Sequence, residues 1–302
     1  MERHAECAQE RFAPVFRQIW EVTRQIKEQG ALSPVAFLRR YETEIRSAFP
    51  GSMSQAQEPG RVPVLICARN EVENIGRTLY GLSRSVIRVS PVVVDNGSID
   101  GTGDFASRLG AEVIHEGRPG LLNALRRGFT YFKNIEYKGP ILLTDADTIP
   151  LPTWAATIVR YAQSTIPTGG EVFGRLFYHD YHGELHIIKN MLLSVGANFL
   201  DSRAMKRGEP RFHGANGIIM PDSEGKILQA LSQIDAPLPK GYGTDAAVRD
   251  TIISIGGLIS FCSDNDAFVV TSGRRFPTIK DVTKLALTRE KVIERVYKDW
   301  VQ

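Results

Sequence analysis

The sequence predicts an α/β fold in which a mostly parallel central sheet is flanked by helices, with a helical extension at the N-terminus. Two observations support this class. From Arg61 onward, short apolar runs typical of buried strands alternate with stretches of helical periodicity, and strands joined by helices favour a parallel sheet with right-handed crossovers. Before that point, apolar residues recur only at helical spacing.

Composition excludes several classes of protein. The net charge of +3 is small and no basic block is interleaved with aromatic residues, so nucleic-acid binding is not expected. No apolar signal region and no apolar stretch of bilayer-spanning length occurs. We therefore expect a cytoplasmic protein, with peripheral membrane contact left open. The three cysteines lack metal-ligand spacing and suit core packing in a reducing compartment.

The first 60 residues are predicted to be a helical extension and a linker. Residues 12–26 carry apolar side chains at helical spacing, and Ser33-Pro34 is typical of an N-cap followed by proline at the first helical position. The Gly-, Ser- and Pro-containing residues 50–60 form the linker. The apolar helix faces are expected to pack on the main domain, residues 61–302; a homodimer through these helices is the alternative.

Within the main domain, strands and helices are predicted in strict alternation at first and less regularly later. The first-half strands are Val62–Ala68, Val92–Val94, Ala111–His115 and Ile141–Thr144, and the helices between them run near residues 75–82, 102–109 and 120–131. The later elements are a strand at 169–178, a helix at 181–206, a helix within 241–255, strands at 258–262 and 267–270, and a closing helix through 293–300.

Two acids follow the fourth predicted strand, as Asp145-Ala146-Asp147. Residues two apart in an extended segment point to the same side, so both carboxylates can reach one cation. Carboxylate oxygens suit Mg²⁺ or Mn²⁺, ions that commonly bridge carboxylates to phosphates. The alternative is a polar loop in which Asp147 caps the helix that starts near Thr153.

Polar residues also follow the other first-half strands. Ala68-Arg69-Asn70-Glu71 ends the first strand and Asp95 ends the second. Ligands of open parallel sheets bind at the carboxyl ends of the strands. These residues and the two acids are therefore expected at one edge of the sheet.

Together, these segments resemble the family-2 glycosyltransferases of the GT-A fold, over about residues 61–275. The resemblance is carried by four motifs in the family's order, at residues 63–71, 92–102, 118–124 and 145–147. It implies that residues 61–150 bind a nucleotide sugar and that residues 151–302 bind the acceptor and supply the closing helix. The nucleotide-sugar contacts that it implies are Ala68, Arg69, Asn70, Glu71, Asp95, Asn96, Gly97, Arg118, Gly120, Asn123, Asp145, Ala146, Asp147, Arg274 and Arg275.

Each implied nucleotide contact has a chemical reason and an alternative. A carboxylate such as Asp95 can accept the N–H groups of uracil or guanine, although the same segment could be a plain turn capped by Asp100 or Thr102. Arg118 can neutralise phosphate or stack on the base, or it can be a solvated loop residue. The loop with Arg274-Arg275 can likewise bind the pyrophosphate or be a solvated basic turn.

The acceptor side is implied by residues 212–217, which resemble the family's Gly-Ala-Asn segment. The implied acceptor contacts are His213, Gly214, Ala215, Asn216 and Thr244. Small residues allow close approach to a sugar, and an asparagine can bind hydroxyl groups as donor and acceptor. A strand bulge is the alternative for the segment. His213 as a third metal ligand is weighed against a packing role.

Asp245 is the candidate catalytic base that would take the proton of the acceptor hydroxyl. The family usually has Glu-Asp at this place, and Thr244 replaces the glutamate here. Asp245 could instead be the N-cap of the helix that follows.

The resemblance thus implies a metal-dependent glycosyltransferase of the hexosyltransferase class. It would use a UDP- or GDP-linked donor, Mg²⁺ or Mn²⁺ and an unknown hydroxyl acceptor, with inversion at the sugar. A sugar-1-phosphate nucleotidyltransferase is the second hypothesis. It is less favoured because those enzymes hold triphosphate with a glycine-rich loop after the first strand, and no glycine run follows that strand here. A nucleotide-sugar-binding relative without catalysis is the third, supported only by Thr244.

Overall fold

The structure is a computed structural model that describes residues 21–22, 24, 28–29, 32–50, 58–179, 194, 196–198, 201–208, 214–234, 238 and 243–272. Most of the helices predicted at residues 12–26 and 181–206, and all of the one predicted at 293–300, lie outside these residues.

Helices and strands alternate as far as the strand at Ile141–Asp145 and less regularly after it, as the sequence predicts. The helices are α1 (Pro34–Ala48), α2 (Ile75–Ser83), α3 (Thr102–Arg108), α4 (Leu121–Asn134), α5 (Trp154–Thr165), α6 (Lys226–Leu231) and α7 (Thr244–Ser254). The strands are β1 (Val62–Ala68), β2 (Val89–Asp95), β3 (Glu112–His115), β4 (Ile141–Asp145), β5 (Thr148–Pro150), β6 (Gly170–Phe173), β7 (Leu176–His179), β8 (Gly217–Met220), β9 (Leu258–Phe261) and β10 (Val269–Ser272).

Within this part of the chain, a central sheet of seven strands has the order β3-β2-β1-β4-β8-β6-β9. Strands β3, β2, β1 and β4 are parallel to one another, as are β6 and β9. Strand β8 runs antiparallel to both of its neighbours, β4 and β6. The predicted class, a mostly parallel sheet flanked by helices, is confirmed.

One predicted strand was wrong. The segment 169–178 is two strands, β6 in the central sheet and β7 in a three-stranded sheet with β5 and β10. The chain changes sheets at Gly174, where a Cβ atom would lie 2.6 Å from the amide nitrogen of Asn216. Gly174-Arg175 interrupts the apolar residues at this point, and an isolated glycine inside a strand pattern is a local sign of such a break.

Helices cover both faces of the central sheet, which separates two apolar cores. Along β1, Val64 and Ile66 face the core that contains α1, α2, α3 and α5. Leu65 faces the core that contains α4, α6 and α7. The alternation follows the two-residue period of a strand, and a strand buried on both faces reads as a continuous apolar run.

Helix α1 packs against the main domain, which agrees with the favoured prediction for this part of the N-terminal extension. It begins as predicted, with the Ser33 hydroxyl accepting the N–H of Ala36 at 3.3 Å. The ring of Phe37 lies 6.3 Å from that of Phe105 on α3. The ring of Tyr41 lies 4.8 Å from that of Tyr80 on α2. The apolar face of α1 is thus covered by this chain.

No helix in the described part of the chain combines the length and the apolar character that crossing a bilayer requires.

Candidate active site

A pocket at the carboxyl ends of β1 and β4 brings together the three carboxylates of greatest chemical interest. Asp145, Asp147 and Asp245 all line it. Asp145 and Asp147 are half-buried, whereas Asp245 is exposed. The remaining walls come from both sheets and from the start of α4: Leu65, Cys67, Leu121, Leu125, Leu143, Thr144, Leu176, Tyr178, Gly214, Ala215, Thr271 and Ser272.

The turn that carries the two acids is fixed by neighbouring elements. Thr78 of α2 donates its hydroxyl hydrogen to the carbonyl of Ala146 at 2.8 Å. Thr144 of β4 donates to the carbonyl of Ala215 at 3.1 Å. Buried hydrogen bonds of this kind restrain the backbone on both sides of Asp145. The alternative in which Asp147 caps a helix is wrong, since Thr153 occupies the N-cap position of α5.

The pair of acids fits a hard divalent cation. Mg²⁺ and Mn²⁺ commonly take one or two protein carboxylates and complete their coordination with water and phosphate oxygens. Cys67 also lines the pocket, but burial and then the charge of Asp145 raise the pKa of its thiol, so it stays protonated. No cluster of three His, Cys, Asp or Glu side chains suited to a metal occurs in the described ranges. A cation here would therefore depend on donor phosphates as well as on the protein.

Asp245 lies in the first turn of α7, with its side chain in the pocket lining. The N-cap of α7 is Gly243, without a side-chain capping bond, and the helix begins at Thr244. The alternative role of Asp245 as the helix cap is therefore wrong. Thr244 is half-buried beside it.

Asp95 closes a turn at the end of β2. It stands in register with Ala68 of β1 and His115 of β3. One carboxylate oxygen accepts the N–H of Ser98 at 3.1 Å, and the other lies 3.4 Å from Nδ1 of His115. The plain-turn interpretation thus accounts for the bond from Ser98, whereas the contact with His115 links Asp95 to the neighbouring strand β3.

Asn96 joins two of the predicted motifs. Its amide nitrogen donates to the carbonyls of Glu116 and Arg118, at 3.2 and 2.6 Å. Its amide oxygen accepts the N–H of Gly120 at 2.7 Å. Gly120 has a φ of 117° and precedes α4, a conformation that favours glycine. Asn96 therefore positions the glycine-containing turn over the end of β2.

The turn after β1 is bound to the turn after β2. Asn70 has a φ of 54°, which asparagine tolerates better than most residues. Its backbone N–H donates to the hydroxyl of Ser98 at 3.0 Å, and its amide oxygen accepts the N–H of Ile99 at 2.9 Å. The N–H of Glu71 donates to the hydroxyl of Thr102 at 2.8 Å. The first two motifs thus form one hydrogen-bonded unit.

Asp100 completes this unit. Its carboxylate accepts the backbone N–H groups of Val72 and Thr102, at 3.1 and 3.0 Å. Burial opposes ionisation, but the hydrogen bonds from Thr102 and Val72 prevail and lower the pKa of Asp100. Asp100 therefore braces the start of α3, although neither it nor Thr102 is the cap that the alternative expected, since Gly101 occupies the N-cap position.

Arg118 forms an ion pair with Glu116. Its guanidinium donates two hydrogen bonds, both 2.9 Å long, to the carboxylate of Glu116. These bonds lower the pKa of Glu116 to about 2. The Arg118 side chain remains 65% exposed, so it is neither buried nor simply a solvated loop residue. The ion pair fixes the direction of the Arg118 side chain at the edge of the sheet.

Asn216 is held inside the protein. It is fully buried, and its amide oxygen accepts the indole N–H of Trp154 at 2.7 Å. Its amide nitrogen donates to the carbonyls of Arg175 and Ala267, at 2.7 and 2.9 Å. Both amide hydrogens are thus used by the protein, and the predicted contact with acceptor hydroxyls has no free donor on this side chain. Gly214 and Ala215 line the pocket as expected.

Several other predicted contacts do not line the pocket. Arg69 and Gly97 are exposed in the loops after β1 and β2, and Asn123 donates from α4 to the carbonyl of Pro119 at 2.9 Å. His213, Arg274 and Arg275 lie outside the described residues.

The sequence analysis missed Glu116 and the small sheet. Glu116 directly follows β3, so the rule that selected Asp95 at the end of β2 would also have selected it. Tyr178, Thr271 and Ser272 come from β7 and β10. Nothing in their local sequence indicates that these strands leave the central sheet to wall the pocket.

Comparison with known proteins identifies one family. The family model described as Glycosyl transferase family 2 matches residues 64–227, more than half of the chain. No curated protein sequence matches this chain.

Solved structures show more distant likeness. A mannosyltransferase of Pyrobaculum calidifontis in complex with GDP-Man and Mn²⁺ is 17% identical, with a TM-score of 0.45 over 82% of this chain and 67% of that one. A glucosyl-3-phosphoglycerate synthase of Mycobacterium tuberculosis with Mn²⁺, UDP and phosphoglyceric acid is 21% identical, with a TM-score of 0.44 over 73% and 71%. Likeness at this level identifies neither donor nor acceptor.

Proposed function

Because the chain belongs to glycosyl transferase family 2, we propose that it transfers a sugar from a nucleotide-diphosphate donor to an acceptor hydroxyl, with inversion and with a divalent metal. The observation that carries the proposal is the single pocket lined by Asp145, Asp147 and Asp245. It combines two carboxylates suited to a cation with a third, exposed carboxylate suited to a proton.

Departure of the nucleoside diphosphate is the first requirement of this chemistry. Asp145 and Asp147 would hold Mg²⁺ or Mn²⁺, and the bound ion would supply positive charge against the charge that develops on the diphosphate. Thr78 and Thr144 keep the backbone of the two acids in place through Ala146 and Ala215. These bonds support a pair of ligands that would be preformed rather than assembled by the donor.

Activation of the acceptor is the second requirement. In a direct displacement, the acceptor oxygen bonds to the anomeric carbon while the bond from that carbon to the phosphate oxygen breaks. Attack from the face opposite the leaving group inverts the configuration. Asp245 would accept the hydroxyl proton, and its exposed position in the pocket wall leaves room for an acceptor.

The hydrogen-bonded loops beside β1 and β2 would bind the nucleotide. Asp95 offers carboxylate oxygens for N–H groups of uracil or guanine, and Arg118 offers a positive charge whose direction is set by Glu116. We propose UDP- or GDP-linked sugars as donors on this basis.

Turnover of nucleotide sugars by an aspartate variant tests the proposal. Release of UDP or GDP from a panel of donors, with Mn²⁺ and candidate acceptors, is compared between wild type and Asp147→Asn. We expect the substitution to lower kcat/KM by at least about 100-fold with an unchanged melting temperature. Asp104→Asn, at an exposed position of α3, is the matched control and should retain activity.

The outcome that contradicts the proposal is near wild-type release of nucleoside diphosphate by Asp147→Asn. A second assay with nucleoside triphosphate and sugar phosphate checks the alternative nucleotidyltransferase, whose product would be pyrophosphate.

A further inference from the structure

Glu171 is a buried carboxyl group that the proposed reaction does not use. It lies in β6 and is fully buried, between Ile219 of β8 and Ile259 of β9 in the register of the central sheet. Neither of its carboxyl oxygens has a hydrogen-bond partner among the residues that the structure describes. Buried polar groups are nearly always hydrogen-bonded, so this one requires an explanation.

Helix α7 covers the face of the sheet on which Glu171 lies. Val248 and Ile252 of α7 belong to the same apolar core as Ile219, with Ile259 at its edge. An ionised carboxylate in such surroundings is strongly disfavoured, because no donor in the described part of the chain replaces its lost hydration.

Two charged residues of α7 act on Glu171 electrostatically. Burial raises the pKa of Glu171 well above its usual range, and the charge of Asp245 raises it further, whereas Arg249 opposes the shift. Asp245 and Arg249 are four residues apart on α7 and therefore share one face of the helix. Glu171 thus lies beneath the helical turn that presents the candidate base.

We propose that Glu171 is a positioning residue for Asp245: an uncharged carboxylic acid at neutral pH that packs beneath α7 and leaves the negative charge to Asp245. This inference rests on the proposed role of Asp245 as the base. Loss of the Glu171 proton at alkaline pH would place a second negative charge under the same turn. That charge would disturb α7 and repel the donor diphosphate, so activity would fall.

Thermal unfolding at several pH values tests whether Glu171 holds a proton, without requiring turnover. A carboxyl group whose pKa is raised by folding stabilises the folded state fully below its unfolded value and loses that contribution as pH rises towards the folded value. We therefore expect the Tm of Glu171→Gln, relative to wild type, to rise by a few degrees between about pH 5 and about pH 8. Glu171→Met should show the same trend, whereas Glu73→Gln, at an exposed position, should show little change.

A Tm difference between wild type and both Glu171 variants that does not change with pH would overturn the assignment of a neutral acid. An infrared band of a protonated carboxyl, present in wild type at neutral pH and absent in Glu171→Gln, would support it. The pH dependence of Tm and the infrared band do not depend on sugar transfer. A negative result in either therefore contradicts the neutral acid without contradicting the proposed function.

The pH profile of kcat/KM tests the positioning role. We expect kcat/KM of Glu171→Gln to stay within about 3-fold of wild type near neutral pH. In alkaline solution we expect kcat/KM of wild type to fall by about 10-fold and that of Glu171→Gln to lack this decline. Two results would refute the role: an alkaline limb unchanged in Glu171→Gln, or a loss of more than about 100-fold at neutral pH with an unaltered Tm. The second result would mean that the carboxylate takes part in the reaction directly.

Discussion

At the scale of single residues, the site depends on side chains that hold other side chains. Asp145 and Asp147 follow a strand whose end is fixed through Ala146 and Ala215. Asn96 similarly binds three backbone groups of the loop after β3. Such satisfied polar networks rigidify the backbone, so the backbone that carries the two half-buried acids is held in place by the protein itself.

The Glu116–Arg118 pair gives a pH-dependent prediction. The pKa of Glu116 is lowered from 4.5 to about 2, so the ionised pair stabilises the protein above pH 4.5, and this contribution is lost as pH falls towards 2. We expect the Tm of Glu116→Gln to lie below that of wild type at neutral pH, and the difference to shrink in acid.

A double-mutant cycle with Arg118→Gln provides the control for this pair. If Glu116→Gln lowers the Tm equally with and without Arg118, the ion pair is not the source of the effect.

Single residues also mark the limit of sequence analysis. The acids at the ends of β2 and β4 could be found because a strand end is a local signal. The buried role of Asn216 could not, since Trp154, Arg175 and Ala267 meet it only in the folded chain. Its Gly-Ala-Asn context indicated a ligand contact, whereas the folded chain uses both of its amide hydrogens internally.

At the scale of elements, the pocket is formed where two sheets meet. Strand β4 of the central sheet leads through Asp145-Ala146-Asp147 into β5 of the small sheet. Asn216, just before β8, links α5 to the segments that precede β7 and β10. This amide therefore helps to hold the small sheet against the central one.

Asn216→Ala should destabilise the protein by about 3 kcal/mol or more, because an indole N–H and two carbonyls lose their buried partner. Chemical denaturation measures the loss. Asn134→Ala, at an exposed position near the end of α4, should change the free energy of unfolding by less than about 0.5 kcal/mol. Equal stability of the two variants would show that the Asn216 bonds do not hold the sheets together.

At the scale of the whole molecule, helix α1 of the N-terminal extension packs as part of the main domain. Phe37 of α1 is 4% exposed and contacts Phe105 of α3. The helical periodicity and the Ser33-Pro34 start were sufficient to predict α1 itself. The surface that it covers could not be predicted, because amphipathicity shows that a face is buried but not what buries it.

Phe37→Ala should lower the free energy of unfolding by about 3–5 kcal/mol, the usual range for a buried phenylalanine. Val35→Ala provides a matched control on the same helix, since Val35 is 59% exposed and its truncation should change stability by less than about 0.5 kcal/mol. A Phe37→Ala protein as stable as the control would mean that α1 is not part of the folded domain in solution.

The parallel half of the fold was predictable from sequence because each strand and helix there carries its own periodicity. Strands β5, β7 and β10 were harder, since β5 is only three residues long and only Gly174-Arg175 separates β6 from β7. Their arrangement is a tertiary property. The same holds for Asp245, whose sequence neighbourhood fits a helix cap as well as a base, until the fold places it in the pocket.

Calorimetric titration of Mn²⁺ into the protein, with UDP or GDP present, tests the central claim most directly. We predict that wild type and Asp104→Asn bind one ion per chain together with the nucleotide, and that Asp147→Asn binds at least about 10-fold more weakly. Equal affinity of wild type and Asp147→Asn for the Mn²⁺–nucleotide complex would contradict the account.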